Sequence, residues 1–347
     1  MTTDSDAIWS PRRPSTLLTA PAVTVPARMR RMWDWSSARL EDLAALLAEA
    51  QLPEEVVTIA VVGSLSRREA SHHSDLDLLV IVRDSPDRHP AEAKALLASI
   101  QQRLSPVTLA ESDPVGIFTT PIDERSLLDR TTLGQIDEAP AVFGKRFHLL
   151  LEGIPLNGAE AYQRLAHGVV DRYRERETIE GNCCWATLLD DLVRYHRSLS
   201  LRARWRRDGR ASPAMRMIKF AHARRLSYAG LLALLAESSL REPRHVDWLA
   251  AHLWRTPLER LALIHEATSD DGLNEILTLH ANYLDLMANP EVRESLHAKD
   301  SDKDESTGSD HQRELLANGV ALAERLQRFF LRHGERWGTA FASSWWM

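Results

Sequence analysis

The sequence predicts an α+β fold, with strands confined to the first third of the chain and an all-α remainder. Three observations carry this. Short runs rich in β-branched residues lie at 56–62 and 75–82, and a third, alternating run lies at 107–111. Past Pro121 such runs stop. From about 158 onward nearly everything repeats at helical period. The expected division is a flexible arm at 1–30, a sheet-containing domain at 31–122, and a helical domain at 123–347 with a polar loop at 298–310.

The arm carries Pro11, Pro14, Pro21 and Pro26 with little periodicity. Ser36 or Ser37 is placed to cap a helix reaching about Ala50, with Leu40, Leu43, Leu46 and Leu47 on one face. Pro53 closes it. Val56 to Val62 is apolar and too short for a typical helix, so it reads as a buried strand. Gly63-Ser64 then makes a tight turn, and Asp75 to Val82 forms the second strand of a strand, short helix, strand unit. Pro90 precedes a helix over about 91–104 that turns Leu96, Leu97 and Ile100 inward. Val107 to Glu111 alternates as a third strand. Thr120 to Arg125 suits a helix start, and Lys145 to Glu152 a core-facing helix that ends at Gly153-Ile154-Pro155. Helices follow at 158–180, 182–207, 213–239, 244–254, 257–268, 271–288 and 311–333.

A chain of 347 residues has room for two cores, and 44% apolar with 27% charged residues is the composition of a soluble globular protein. The net charge of −6 gives no global case for nucleic-acid binding. Cys183 and Cys184 are neighbours, which cannot form an ordinary disulfide and lack zinc spacing. They read as buried thiols in a reducing compartment. No apolar segment reaches membrane-spanning length, and Asp4 and Asp6 sit where a signal core would be, so a cytoplasmic protein is expected. Most tryptophans read as core anchors. Trp345-Trp346 either dock back on the domain or serve an oligomer contact.

The chemistry concentrates between Gly63 and Val82. Glycine lets backbone approach a ligand closely, and Ser64 offers a hydroxyl and an N–H to an anion. Side chains alternate along a strand, so Asp75 and Asp77 share a face, roughly 6.5–7 Å apart along the backbone. At about 6 Å and an effective dielectric near 20 they repel by roughly 2–3 kcal/mol. A divalent cation between them converts that cost into a binding site. Mg²⁺ takes one or two carboxylates plus substrate phosphates. An anion-binding turn beside a two-carboxylate site is the equipment of phosphoryl or nucleotidyl transfer. His72 and His73, adjacent and expected to point apart, read as loop residues.

Gly63-Ser64, Arg67 and Asp75-Leu76-Asp77 together resemble the signature of the DNA polymerase β-type nucleotidyltransferase superfamily. The likeness covers about residues 40–115. It is nearest to bacterial members with a small catalytic domain and a helical C-terminal domain, aminoglycoside adenylyltransferases among them. The resemblance implies a small mixed β-sheet with flanking helices. It implies that Gly63, Ser64 and Arg67 bind the triphosphate of an NTP, and that Asp75 and Asp77 hold Mg²⁺, with Mn²⁺ as a substitute. A third acid on a later strand completes the metal site and favours deprotonation of the acceptor. Glu111 is the first choice for it and Asp113 the competitor.

A second feature is cationic. Between Arg194 and Arg225 lie Arg197, Arg202, Arg204, Arg206, Arg207, Arg210, Arg216, Lys219 and Arg224, with Asp208 the only acid. Such a face can bind triphosphate or an acceptor such as RNA or another polyanion, and it argues against a cationic drug as acceptor. Arg216 and His222 also match the Arg-x₅-His spacing of some helical ribonucleases, a pattern that chance supplies readily in so arginine-rich a stretch. The expected activity is transfer of a nucleoside monophosphate from an NTP to a hydroxyl or phosphate acceptor of RNA, protein or small molecule. The alternative is a catalytically idle nucleotide-binding module that signals through its helical domain.

Overall fold

The computed structural model describes residues 9–21, 23–107, 109, 116–174, 185–205, 211–241, 243–297, 310–338 and 341. The polar loop at 298–309, Cys183-Cys184, Trp345-Trp346 and both candidate third acids, Glu111 and Asp113, lie outside the described residues.

A small mixed sheet and a large helical region make up the fold. Helix α1 (Ala27–Ala48) leads into strand β1 (Val56–Val62), and β2 (Asp77–Val82) returns antiparallel beside it. Helix α2 (Pro90–Leu104) follows, then β3 (Ile122–Asp123), the short α3 (Glu124–Leu128), α4 (Pro140–Leu151) and β4 (Ile154–Asn157). The sheet order is β3-β2-β1-β4, with β3 parallel to β2 and β4 antiparallel to β1.

Both faces of the sheet are buried, which is why β1 and β2 read as continuous apolar runs. Ile59, Val61, Leu78, Val80 and Val82 pack with Leu40, Leu43 and Leu47 of α1 and with Leu97, Ile100 and Leu104 of α2. The alternate residues, Ala60, Val62, Leu79 and Ile81, join the apolar core of the helical region. The helical region therefore sits directly on one sheet face. It comprises α5 (Ala159–Arg172), α6 (Ala186–Trp205), α7 (Pro213–Lys219), α8 (Arg225–Ser238), α9 (His245–Ala250), α10 (Pro257–Thr268), α11 (Leu273–Ala288), α12 (Pro290–His297) and α13 (Asp310–His333). A five-residue π turn, Phe220–Arg224, joins α7 to α8 without a break. Among the described residues no helix is long and apolar enough to cross a membrane.

Four expectations change. Of the third strand expected at 107–111, Val107 and Leu109 are described outside any strand and the other three residues lie outside the described residues; the strand described beside β2 is the two-residue β3. A fourth strand, β4, comes from beyond the expected 122/123 boundary. Pro155 suggested only a helix stop, but β4 is an edge strand, where a missing N–H is tolerated. Helix α1 starts at Ala27, behind Pro26, rather than at a serine cap. Ser36 is instead buried and accepts a hydrogen bond from the Ala70 N–H at 3.2 Å.

The fourth concerns the arm. Trp9 is buried with its ring 5.0 Å from that of Tyr162. Arg13 grips Glu259 of α10 through two hydrogen bonds of 2.9 and 2.6 Å, and the Thr16 N–H donates to the same carboxylate at 2.8 Å. The prolines reflect an irregular path across the helical region rather than a free chain. Both members of the Arg13–Glu259 pair are almost fully buried. Removing one charge leaves the other buried and unpaired, so Glu259→Gln should destabilise the protein by about 3 kcal/mol or more in denaturant unfolding.

Candidate nucleotide site

Antiparallel pairing sets Val62 opposite Asp77. The turn that leaves β1 therefore begins beside the carboxylate that opens β2. Gly63 has φ +78°, a left-handed conformation that glycine adopts without strain. A Cβ at this position would lie 3.4 Å from Asp77 Oδ2. The turn is closed by its own hydrogen bonds. The Arg67 N–H and the Ser66 hydroxyl both donate to the Gly63 carbonyl, and the Glu69 N–H donates to the Ser64 carbonyl.

Gly63, Ser64, Asp75 and Asp77 line one cavity of about 580 Å³. That volume lies within the usual range for small-molecule sites, roughly 300–1,000 Å³. The opposite wall belongs to the helical region. Of the described members of the basic stretch, Arg194, Arg202, Arg216, Lys219 and Arg224 face the cavity, and Arg293 of α12 joins them. Arg225 turns instead to the carbonyls of Ala221 and Gly319. Arg206, Arg207 and Arg210 lie outside the described residues. Among the described residues, Lys219, Arg224 and Arg293 have no carboxylate within ion-pair distance.

The π turn explains how Lys219 and Arg224 reach one site. At 3.6 residues per turn, side chains five apart point to different sides of a helix. The i→i+5 spacing of a π turn brings such a pair closer to one side. Both cations act on Asp77. Burial in the cavity wall and the charge of Asp75 push the Asp77 carboxyl up to about 7, while Lys219 and Arg224 pull the other way and Glu152 adds to the rise. Asp77 retains some water contact, but protein encloses it on most sides, and enclosure governs its charge.

Arg67 lines the cavity but is already engaged. Its Nε donates to Glu69 at 2.8 Å and its Nη1 to Glu152 at 2.6 Å. Burial disfavours its charge, yet the two carboxylates outweigh burial and raise its pKa. The expected phosphate contact is thus a buried ion pair that braces the turn. Lys219, Arg224 and Arg293 line the same cavity and, among the described residues, are in no ion pair.

Glu152, read from sequence only as a helix end, reaches the cavity from the end of α4. Burial alone would raise its pKa, but Arg67 and His148 hold it well below the ordinary carboxylate range. Its oxygens also accept from the Ser227 hydroxyl at 2.9 Å, and His148 Nδ1 lies 3.2 Å away. Asp123 is not a third acid at this site. It pairs with Val82, at the end of β2 away from Asp77, and it caps α3 through Ser126. The His72 and His73 rings lie 3.8 Å apart rather than diverging, and His73 lines the cavity. His222 is fully buried, hydrogen-bonded to the Ile218 carbonyl and stacked on Tyr283, so the Arg-x₅-His spacing marks a core contact.

Residues 43–130 belong to the nucleotidyltransferase domain family. The matched residues include β1, β2 and β3 with Asp75 and Asp77, and the domain is of the polymerase β-like superfamily. No curated protein matches the chain. The nucleotidyltransferase domain match ends before α4, β4 and the cationic wall.

Among the described residues no three histidine, cysteine or acidic side chains form a metal-ligand cluster. The donor set nonetheless fits Mg²⁺, which takes as few as one or two carboxylates when phosphates supply further oxygens. Without metal, Asp77 has a raised folded-state pKa. Its stability contribution is full below the ordinary aspartate range and is lost as pH rises toward 7. Metal-free Asp77→Asn should therefore be more stable than wild type at pH 8, by about 1.4 kcal/mol for each pKa unit, and no more stable at pH 4. Thermal unfolding at the two pH values measures this. Mg²⁺ should stabilise wild type at pH 8 and leave the variant unmoved.

Proposed function

We propose that the protein is a Mg²⁺-dependent nucleotidyltransferase that moves a nucleoside monophosphate from an NTP to a hydroxyl or phosphate acceptor, releasing pyrophosphate. The observation that supports this most is the convergence of the Gly63 turn, Asp75, Asp77, Lys219 and Arg224 on one cavity. Asp75 and Asp77 would hold Mg²⁺, which when bound neutralises phosphate charge and aligns the leaving group. Gly63 and Ser64 cradle the phosphates through the turn's backbone and the serine hydroxyl. Lys219, Arg224 and Arg293 bind phosphate oxygens as charge-assisted donors. Arg67 keeps the turn in place through Glu69 and Glu152. The rate enhancement comes from positioning and fixed charge. Glu111 or Asp113 remains the proposed third acid.

A cavity of about 580 Å³ has the size for an NTP and a small acceptor, or one group of a larger one. Pyrophosphate release from each of the four NTPs, with Mg²⁺ or Mn²⁺ and candidate acceptors, tests the activity. Asp75→Asn and Asp77→Asn should each lower the rate by at least about 10²-fold, the scale expected for loss of electrostatic stabilisation. NTP binding without release in any combination would favour the idle binding module.

The cationic wall gives a separate expectation. Lys219→Ala and Arg224→Ala should each weaken NTP binding by about tenfold or more, since hydrogen bonds to charged groups contribute about 1.5–3 kcal/mol. Titration calorimetry at two salt concentrations should also show a smaller salt dependence in both variants.

A further inference from the structure

Along the cavity wall runs a chain of three hydrogen bonds that leads from the phosphate turn to a phenol. Arg67 donates to Glu152 at 2.6 Å, Glu152 meets His148 Nδ1 at 3.2 Å, and His148 Nε2 meets the Tyr195 hydroxyl at 3.0 Å. The carboxylate fixes the tautomer. Glu152 stays ionised, so Nδ1 carries the hydrogen and donates to it. Nε2 is left as an acceptor, and the Tyr195 O–H donates to it. A hydroxyl held on a histidine that a carboxylate orients is the general arrangement of an activated nucleophile.

Tyr195 lines the same cavity as Asp77. The hydrogen bonds through His148 and Glu152 to Arg67 tie the phenol to the Gly63 turn, where the phosphates are proposed to lie. Its ring is fixed by stacking on Phe147, with centroids 4.9 Å apart and planes 15° apart. Among the described hydroxyls of the cavity, those of Ser64, Ser71, Ser74, Ser198 and Tyr283 show no such histidine.

Resting on the nucleotidyl-transfer reading, we infer that Tyr195 is itself a nucleotide acceptor, so that the protein nucleotidylates its own tyrosine. Tyr195 Oη attacks the α-phosphorus of the bound NTP. The Oη–P bond forms as the bond from the α-phosphorus to the oxygen bridging it to the β-phosphorus breaks. Pyrophosphate leaves with that electron pair, and the phenolic proton passes to His148 Nε2. Burial holds the phenol in its neutral form, so the proton must leave as the new bond forms, and His148 is the group in place to take it. The product is a tyrosyl nucleoside monophosphate that occupies the cavity.

The test is intact-mass analysis of the full chain after incubation with each NTP and Mg²⁺ or Mn²⁺, followed by peptide mapping. The expected result is a gain of one nucleoside monophosphate on the peptide containing Tyr195. Tyr195→Phe should abolish it while still binding NTP in calorimetry. His148→Gln should slow it by about 10²-fold or more. Wild type that binds NTP but stays unmodified would overturn self-nucleotidylation and leave transfer to other acceptors standing. Modification that persists in Tyr195→Phe would overturn it too. Absence of NTP binding by wild type would overturn both readings, and calorimetry separates that outcome from the others.

Discussion

Two carboxylates where β2 begins, Asp75 just before the strand and Asp77 its first residue, are the constraint to which the rest of the structure answers. Asp75 and Asp77 cannot both ionise comfortably there, because burial and mutual repulsion act in the same direction on Asp77. No rearrangement of the sheet relieves this. The register that sets Val62 against Asp77 also sets the Gly63 turn against it, and the side-chain period is fixed at two. Relief must come from charge supplied across the cavity. Lys219 and Arg224 do so in part, and Arg293 lines the same cavity as Asp75.

Those cations come from the helical region, in which the nucleotidyltransferase match has no part. The sheet domain alone thus carries the negative half of the site and the anion-cradling turn, but not the positive wall. The two halves are fastened together by buried ion pairs. Arg67 on the turn holds Glu69 beside it and Glu152 from α4, and Glu69 meets His280 of α11 at 2.9 Å. Breaking such a network by removing one member costs far more than it stabilises as a whole, because the remaining charges stay buried. Its effect here is to fix the turn relative to the helices that face it.

The sequence made the carboxylates and the turn legible because local pattern alone places them. A β-branched run, Gly-Ser and an alternating Asp-x-Asp need only the periods of a strand. Other elements are decided by tertiary contact. The two residues of β3 are too few to carry a period, and Pro155 disguises β4 until its edge position is known. Arg67 looked like a phosphate ligand because its partner Glu152 is 85 residues away in sequence. The proline-rich arm looked free because the carboxylate that anchors it, Glu259, lies in α10. Glu152 carries no local sign of its place in the cavity that Asp77 lines.

The basic stretch shows the same division at finer scale. Sequence located it but could not say which residues face the cavity, since helical period separates Lys219 from Arg224. A π turn is invisible to an analysis that assumes 3.6 residues per turn. It matters because inserting a wider turn at Phe220–Arg224 alters which residues of α7 and α8 share a side, while the helix axis continues and the core contacts of Met215, Ile218 and Leu226 are kept. The apolar pattern on each side of the turn fixes α7 and α8 against the core, and the turn between them then determines where their charges point. The fold can therefore satisfy its packing and its electrostatics independently, and the cationic wall opposite Asp77 is the consequence.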